Sequence, residues 1–377
     1  KIFADARFIR GYATNINEIE KRVEVRTTDG ESTTSLGYDH LILGVGVGDD
    51  LDSVPGIREH GLTLRGSGGP DGLRATVLER LEQATVTSNP DLREKLLSFV
   101  VAGGGFTGVE IAAAIAELLK AVAKEYPILA ETSARVSLVH AGDRILPDLV
   151  DFPKLADYAT EQLLEAGISI RCGMKVANVS SFGAHLDDGS LLPSASVIST
   201  VGTSVRAIPG GELWDRDRSG RLVADRTLRL DGSSTIWIGG DGARIEGRNG
   251  GTNAPNALWA IKHGEHIGGN IVRELTGRRL VPFSYPGLGQ AASLGLGRGI
   301  VEFKGLQFTG LVAWVMRIGF FLYFLPSRRT AVQALVEWLS LPITGRRLDV
   351  PRRSNRPRMT RPTIANFGAV GILSNRN

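Results

Sequence analysis

A single cysteine, Cys172, stands among 377 residues. A disulfide framework or a Cys-x-x-Cys relay needs at least two, so neither exists within this chain, and any redox chemistry would need another carrier. Cys172 itself, in the strand-like Ile168-Ser169-Ile170-Arg171-Cys172, reads as a small buried hydrophobe. The six histidines make no group with metal-ligand spacing; His263 and His266 read as helix surface, and no metal site is expected. Long apolar runs are also scarce. The most apolar stretch, Gly310 to Pro326, is short for a membrane span and is interrupted by Arg317. Before it, nothing near Lys1 has the positive-then-apolar layout of a signal peptide, and the start reads as an interior point of a longer protein.

What is present argues against disorder. A hydrophobic share of 42% beside 22% charged residues supports large buried cores, and 47 glycines imply many tight turns or close backbone approaches. The length exceeds what one core sustains, so two lobes and an appendage are expected. The net charge of +4 is small, yet arginines crowd after Arg328 at Arg329, Arg346, Arg347, Arg352, Arg353, Arg356, Arg358 and Arg361. That local excess points to an anionic surface. From Arg346 onward the single aromatic residue is Phe367, so nucleic acid is not the expected partner.

The clearest unit begins at Leu97. Leu97 to Ala102 reads as a buried strand, Gly103-Gly104-Gly105-Phe106-Thr107-Gly108 as a turn, Val109 to Lys124 as an Ala-rich helix, and Arg135 to Val139 as a second strand. This strand, Gly-x-Gly-x-x-Gly, helix order is the dinucleotide fingerprint. Gly103 permits the tight turn, Gly105 lets backbone N–H groups reach a pyrophosphate, and Gly108 allows close helix packing, with the phosphate at the helix N-terminus. The acid usual at the end of the second strand is replaced by His140, followed by Ala141-Gly142-Asp143-Arg144. A neutral His can hydrogen-bond a ribose hydroxyl, whereas Arg144 can meet a 2′-phosphate, so the choice between NADH and NADPH stays open. A further helix from Leu155 to Ala166, later strands and the helix Asn256 to Glu274 extend an open, mostly parallel α/β pattern.

Two glycine-ended strands frame that unit. Tyr38-Asp39-His40-Leu41-Ile42-Leu43-Gly44-Val45-Gly46 lies before it, and Ile236-Trp237-Ile238-Gly239-Gly240-Asp241-Gly242 after it. An acid at a strand end binds polyol hydroxyls, and glycines let phosphates approach the backbone. Together with Phe8 to Gly11, Gly103 to Glu110 and the strand-end Gly202, these landmarks resemble type II NADH dehydrogenases in order and spacing over residues 1 to about 275. The resemblance implies an α/β fold of two Rossmann-like lobes, with FAD and NADH as cofactors and a quinone as acceptor, without proton pumping. It assigns residues 1–65 and 230–275 to the FAD lobe, 66–229 to an inserted NAD lobe, 276–350 to a C-terminal membrane-docking region and 351–377 to a basic tail without fixed structure.

By the same resemblance Glu110, in Phe106-Thr107-Gly108-Val109-Glu110, is the candidate catalytic residue near nicotinamide and flavin. Gly103, Gly105, Phe106, Thr107, Gly108, His140, Gly202, Gly44, Gly46, Gly240, Asp241, Ala254 and Leu258 are the cofactor candidates. Two departures stand out. A first Gly-x-Gly-x-x-Gly, which in the family binds the ADP half of FAD, has no room before Tyr38, and Leu258 replaces a glutamine of the quinone-facing pair. Alternatives to the quinone reductase are a soluble NAD(P)H-dependent flavin or ferredoxin-type reductase and a non-catalytic dinucleotide-binding module. At the C-terminus, Trp314, Phe320, Phe321, Tyr323 and Phe324, then Leu335, Trp338 and Leu339, suit an in-plane anchor on the anionic, cytoplasmic face of the membrane; a homodimer seam is the competing use.

Overall fold

The computed structural model describes residues 6–28, 30, 32–123, 125–132, 134–247, 251–252, 256–325, 327–344 and 369–373. The chain forms two compact units: Lys1–Gly48 with Thr203–Gly287 and Thr360–Asn377, and Asp49–Gly202 with Leu288–Met359. The crossings fall at Gly48/Asp49, Gly202/Thr203 and Gly287/Leu288.

The second unit is built on a five-stranded parallel sheet. Its strands lie in the order Leu62–Thr63, Ser196–Ser199, Ser98–Ala102, Arg135–His140, Ile168–Cys172. The central strand reads Ser-Phe-Val-Val-Ala because both faces are covered. Alternation sends Phe99 and Val101 into one core with the helices Gly69–Val86, Phe106–Val122 and Pro153–Glu165. Val100 and Ala102 enter a second core beneath the meander Val176–Ser180, Gly183–Leu186, Leu191–Pro193. The helix Phe106–Val122 is Ala-rich where it meets the sheet: Ala112 and Ala113 are buried beside Val109, Ile111 and Ile115.

Residues 289–309 pack into this unit. A hairpin sheet, Gly289–Ser293, Gly299–Phe303 and Leu306–Thr309, contributes Ala292, Leu294 and Ile300 to the same core as Phe99. The apolar helix Gly310–Phe324 follows, and then Arg328–Thr344.

In the first unit, Ile236–Ile238 pairs in parallel with His40–Gly44. Leu41, Trp237 and Ile236 are fully buried with Val23 of the antiparallel sheet Gly11–Asn17, Arg22–Thr27, Thr33–Gly37. Trp237 donates its indole N–H to His40 Nδ1 at 3.3 Å, and the Arg229 guanidinium lies over the indole. The helix Ala257–Leu275 is capped by Asn256, whose side chain accepts from Trp259 N.

The other side of His40–Gly44 is taken by Ala369–Leu373, antiparallel. That segment was expected to lack fixed structure. Its Ala-Val-Gly-Ile-Leu sequence is an apolar strand run within an Arg- and Pro-rich context, and an open strand edge offers unpaired backbone groups. The rest of the basic tail lies outside the described residues.

Candidate functional site

The parallel strands Ser98–Ala102 and Arg135–His140 end side by side, and the chain leaves the first through the glycine turn. Gly103 adopts φ 108°, and its N–H donates to Val139 O at 2.8 Å. Thr200, at the end of the neighbouring strand, donates its hydroxyl to Ala102 O at 2.9 Å or Gly103 O at 3.2 Å, holding the turn from the other side. A Cβ on Gly108 would fall on the Gly103 carbonyl, so the first helical turn packs directly on the glycine turn. A Cβ on Gly104 would lie 2.8 Å from His140. Gly105 differs from its neighbours: its φ is −75° and a Cβ there would meet nothing within 4 Å. No side chain caps the helix, so its first N–H groups have no side-chain acceptor. Phe106 packs into the core and Thr107 is exposed.

His140 is committed to the turn. Its Nδ1 accepts from Gly104 N at 3.2 Å, which puts the hydrogen of a neutral ring on Nε2, itself buried without a hydrogen-bond partner. The following loop is tied back by Leu146 N to Gly104 O at 2.7 Å. Arg144 donates through one nitrogen to Asp157 Oδ1 at 2.6 Å and Pro153 O at 3.0 Å. Gly202, at φ 74°, sits against Asp50.

Glu110 is a clamp point. Its Oε1 accepts from Ser293 N at 2.8 Å and from Arg317 Nη2 at 2.6 Å, and the Arg317 guanidinium lies 4.7 Å from the Phe321 ring centre. Two turns on, Glu117 Oε1 accepts from Leu296 N at 2.8 Å. Seven residues apart, the two carboxylates share one helix face and fix the C-terminal hairpin to it. Arg317, Ser293, Glu117 and Thr200 were not found in the sequence. Only Arg317 left a signal there, as the one charge in an apolar helix.

In the first unit, parallel pairing brings the ends Gly44 to Gly46 and Gly239 to Gly242 together. Gly46 and Gly240 adopt φ 62° and 76°, and a Cβ on Gly242 would lie 2.8 Å from Gly46 O. Asp241 Oδ1 is buried at this edge. Gly240 N donates to His263 Nδ1 at 3.2 Å. His263 is therefore not helix surface: it is 3% exposed, because the side-chain-free Gly239 admits its ring. His266 is partly buried, and its Nε2 lies 2.9 Å from Val281 O. Leu258 is the second residue of the Ala257–Leu275 helix and is partly buried, while Ala254 lies outside the described residues. Among the described residues no cluster of His, Cys, Asp or Glu could hold a metal.

A family model described as pyridine nucleotide-disulphide oxidoreductase matches residues 4–260, which include both glycine-ended strands and the whole glycine turn. The chain belongs to the pyridine nucleotide-disulphide oxidoreductase family. Among curated relatives of this family member, a probable NADH dehydrogenase of Dictyostelium discoideum is 25% identical over 90% of this chain and 75% of its own length. The type II NADH:quinone oxidoreductase Ndh of Mycobacterium tuberculosis is 29% identical over 84% of this chain and 69% of its own. The solved NDH2 of Plasmodium falciparum in complex with NADH superposes with a TM-score of 0.81, covering 89% of this chain and 84% of that one at 16% identity. At that identity the superposition shows the shared α/β fold of this oxidoreductase family.

Burial lowers the His263 pKa from 6.5 to about 4, with His266 adding to the effect. The unfolded chain therefore binds a proton at this residue from about pH 6.5 downward while the folded chain does not, and stability falls between pH 6.5 and 4 by up to about 3 kcal/mol. In His263→Gln, where the amide oxygen still accepts from Gly240, this loss disappears. Urea midpoints at pH 7 and pH 4.5 for both proteins measure it; parallel pH dependences would refute the assignment.

Proposed function

We propose that this chain is a type II NADH:quinone oxidoreductase, taking electrons from NADH and passing them through FAD to a quinone dissolved in the membrane, without pumping protons. The observation that carries the reading is the glycine turn at an uncapped helix mouth, where Gly105, unlike Gly103, Gly104 and Gly108, has neither a positive φ nor a neighbour within 4 Å of where a Cβ would stand. These residues fit an NADH pyrophosphate: backbone N–H groups supply the donors and the helix N-terminus the favourable potential.

For the flavin the fit is partial. Gly44 to Gly46 and Gly239 to Asp241 form a strand-end cradle suited to a polyol and its phosphate approach. A second Gly-x-Gly-x-x-Gly to grip the flavin's ADP half is not among the described residues. Bound FAD supplies the two-electron chemistry between nicotinamide and quinone. Glu110 is the catalytic candidate: both of its hydrogen bonds fall on Oε1, which fixes the side chain and leaves Oε2 the oxygen that would act on a substrate.

The membrane reading rests on exposed apolar side chains. Leu311, Val312, Val315, Phe321 and Tyr323 of one helix, and Val332, Leu335 and Val336 of the next, are solvent-facing. Among the described residues no helix is long and apolar enough to cross a membrane. An in-plane contact with lipid at the cytoplasmic face, where NADH is supplied, accounts for both.

Three outcomes test these statements. Anaerobic NADH bleaches the yellow band of the flavin-loaded protein and a quinone restores it; a band that NADH leaves unchanged removes the assignment. Gly105→Ala keeps the urea midpoint of the parent and weakens NADH binding at least about tenfold, whereas Gly108→Ala loses about 2 kcal/mol or more of stability outright. Equal stability losses in the two variants would mean that Gly105 serves the fold and not a ligand. Leu311→Asp with Val315→Asp abolishes flotation with anionic vesicles; unchanged flotation, or a shift in oligomeric state instead, contradicts the lipid contact.

A further inference from the structure

The strand end at His140 carries no acid to hold ribose hydroxyls, and the nearby cation, Arg144, is of the type that receives a 2′-phosphate. We infer that Asp157 is a specificity determinant: by holding Arg144 it removes that receptor and makes the site select NADH over NADPH. The inference rests on the reading of the Gly103 turn as the NADH pyrophosphate site.

The loop from His140 to Arg144 is placed by the turn itself, through Gly104 N to His140 Nδ1 and Leu146 N to Gly104 O. In a strand, glycine turn, helix, strand unit, the adenosine ribose lies beyond the end of the second strand, which here is this loop. Arg144 does not stand free there. One of its nitrogens is shared between Asp157 Oδ1 at 2.6 Å and Pro153 O at 3.0 Å, both at the start of the Pro153–Glu165 helix. The cleft that Arg144 lines also presents Asp143, Asp157, Glu161 and Glu165, four carboxylates against one guanidinium. A 2′-phosphate, carrying close to two negative charges, would meet that excess with one guanidinium nitrogen already engaged and the Arg144 charge offset by Asp157, whereas a 2′-hydroxyl has no charge to repel.

The Arg144–Asp157 pair is exposed, with side chains 42% and 73% accessible, so it adds little to stability and can be broken without unfolding the helix. The same exposure makes the discrimination electrostatic and screenable, which separates it from a steric filter.

Fluorescence titration of the full chain with NADH and with NADPH reads both dissociation constants without turnover. Wild type binds NADPH at least about tenfold more weakly than NADH at about 0.02 M salt, and the gap narrows at about 0.5 M. Asp157→Asn tightens NADPH about tenfold and leaves NADH within about twofold, and adding Arg144→Ala to that variant cancels the gain. Equal wild-type affinities, an unimproved NADPH constant in Asp157→Asn, or a gain that survives Arg144→Ala would each overturn the inference while leaving the NADH reading intact. Failure to bind either dinucleotide would instead remove that reading, and the inference with it.

Discussion

No side chain fits between Gly108 and the carbonyl of Gly103, and the rest of the site depends on that close approach. It seats the first turn of a 17-residue helix on the end of a buried parallel strand, so the helix mouth opens just beyond the sheet. Thr200 and His140 then hold the turn from its two sides, one through carbonyls and the other through Gly104 N. What remains unfilled is the space at Gly105. Under the proposed function that space is where the pyrophosphate lies, against the first amides of the helix.

The helix also joins the dinucleotide turn to the C-terminal part of its own unit. Glu110 and Glu117 accept backbone N–H groups from Ser293 and Leu296, and Arg317 reaches Glu110 from the apolar helix that follows. An arginine in that helix would be costly if it faced lipid. Turned inward, half-buried against a carboxylate and the Phe321 ring, it is satisfied and lets the opposite side stay apolar.

The parts legible in the sequence were those encoded over short distances. Strand, glycine turn, helix and strand from Leu97 to Val139 signal themselves by local periodicity, and the structure places them at Ser98–Ala102, Phe106–Val122 and Arg135–His140. The two glycine-ended strands were legible as strands, and their parallel pairing follows from the inserted unit between them. Long-range partners were not legible. Glu110 was singled out only by resemblance, because its partners Ser293 and Arg317 lie 183 and 207 residues away. His263 and His266 looked alike because helix phase is set by Gly239 on a distant strand. Arg144 offered itself to a phosphate because its tie to Asp157 depends on where the next helix starts. The tail is Arg- and Pro-rich, and its composition could not foresee that Ala369–Leu373 would pair with the strand His40–Gly44.

The central claim is that the Gly105 helix mouth receives the dinucleotide pyrophosphate. Amide hydrogen exchange of the full chain with and without NADH measures this directly. The account predicts slowed exchange concentrated at Gly104 to Gly108, where the backbone N–H groups meet phosphate oxygens. Unchanged exchange across this turn, with protection by NADH appearing elsewhere in the chain, would contradict it.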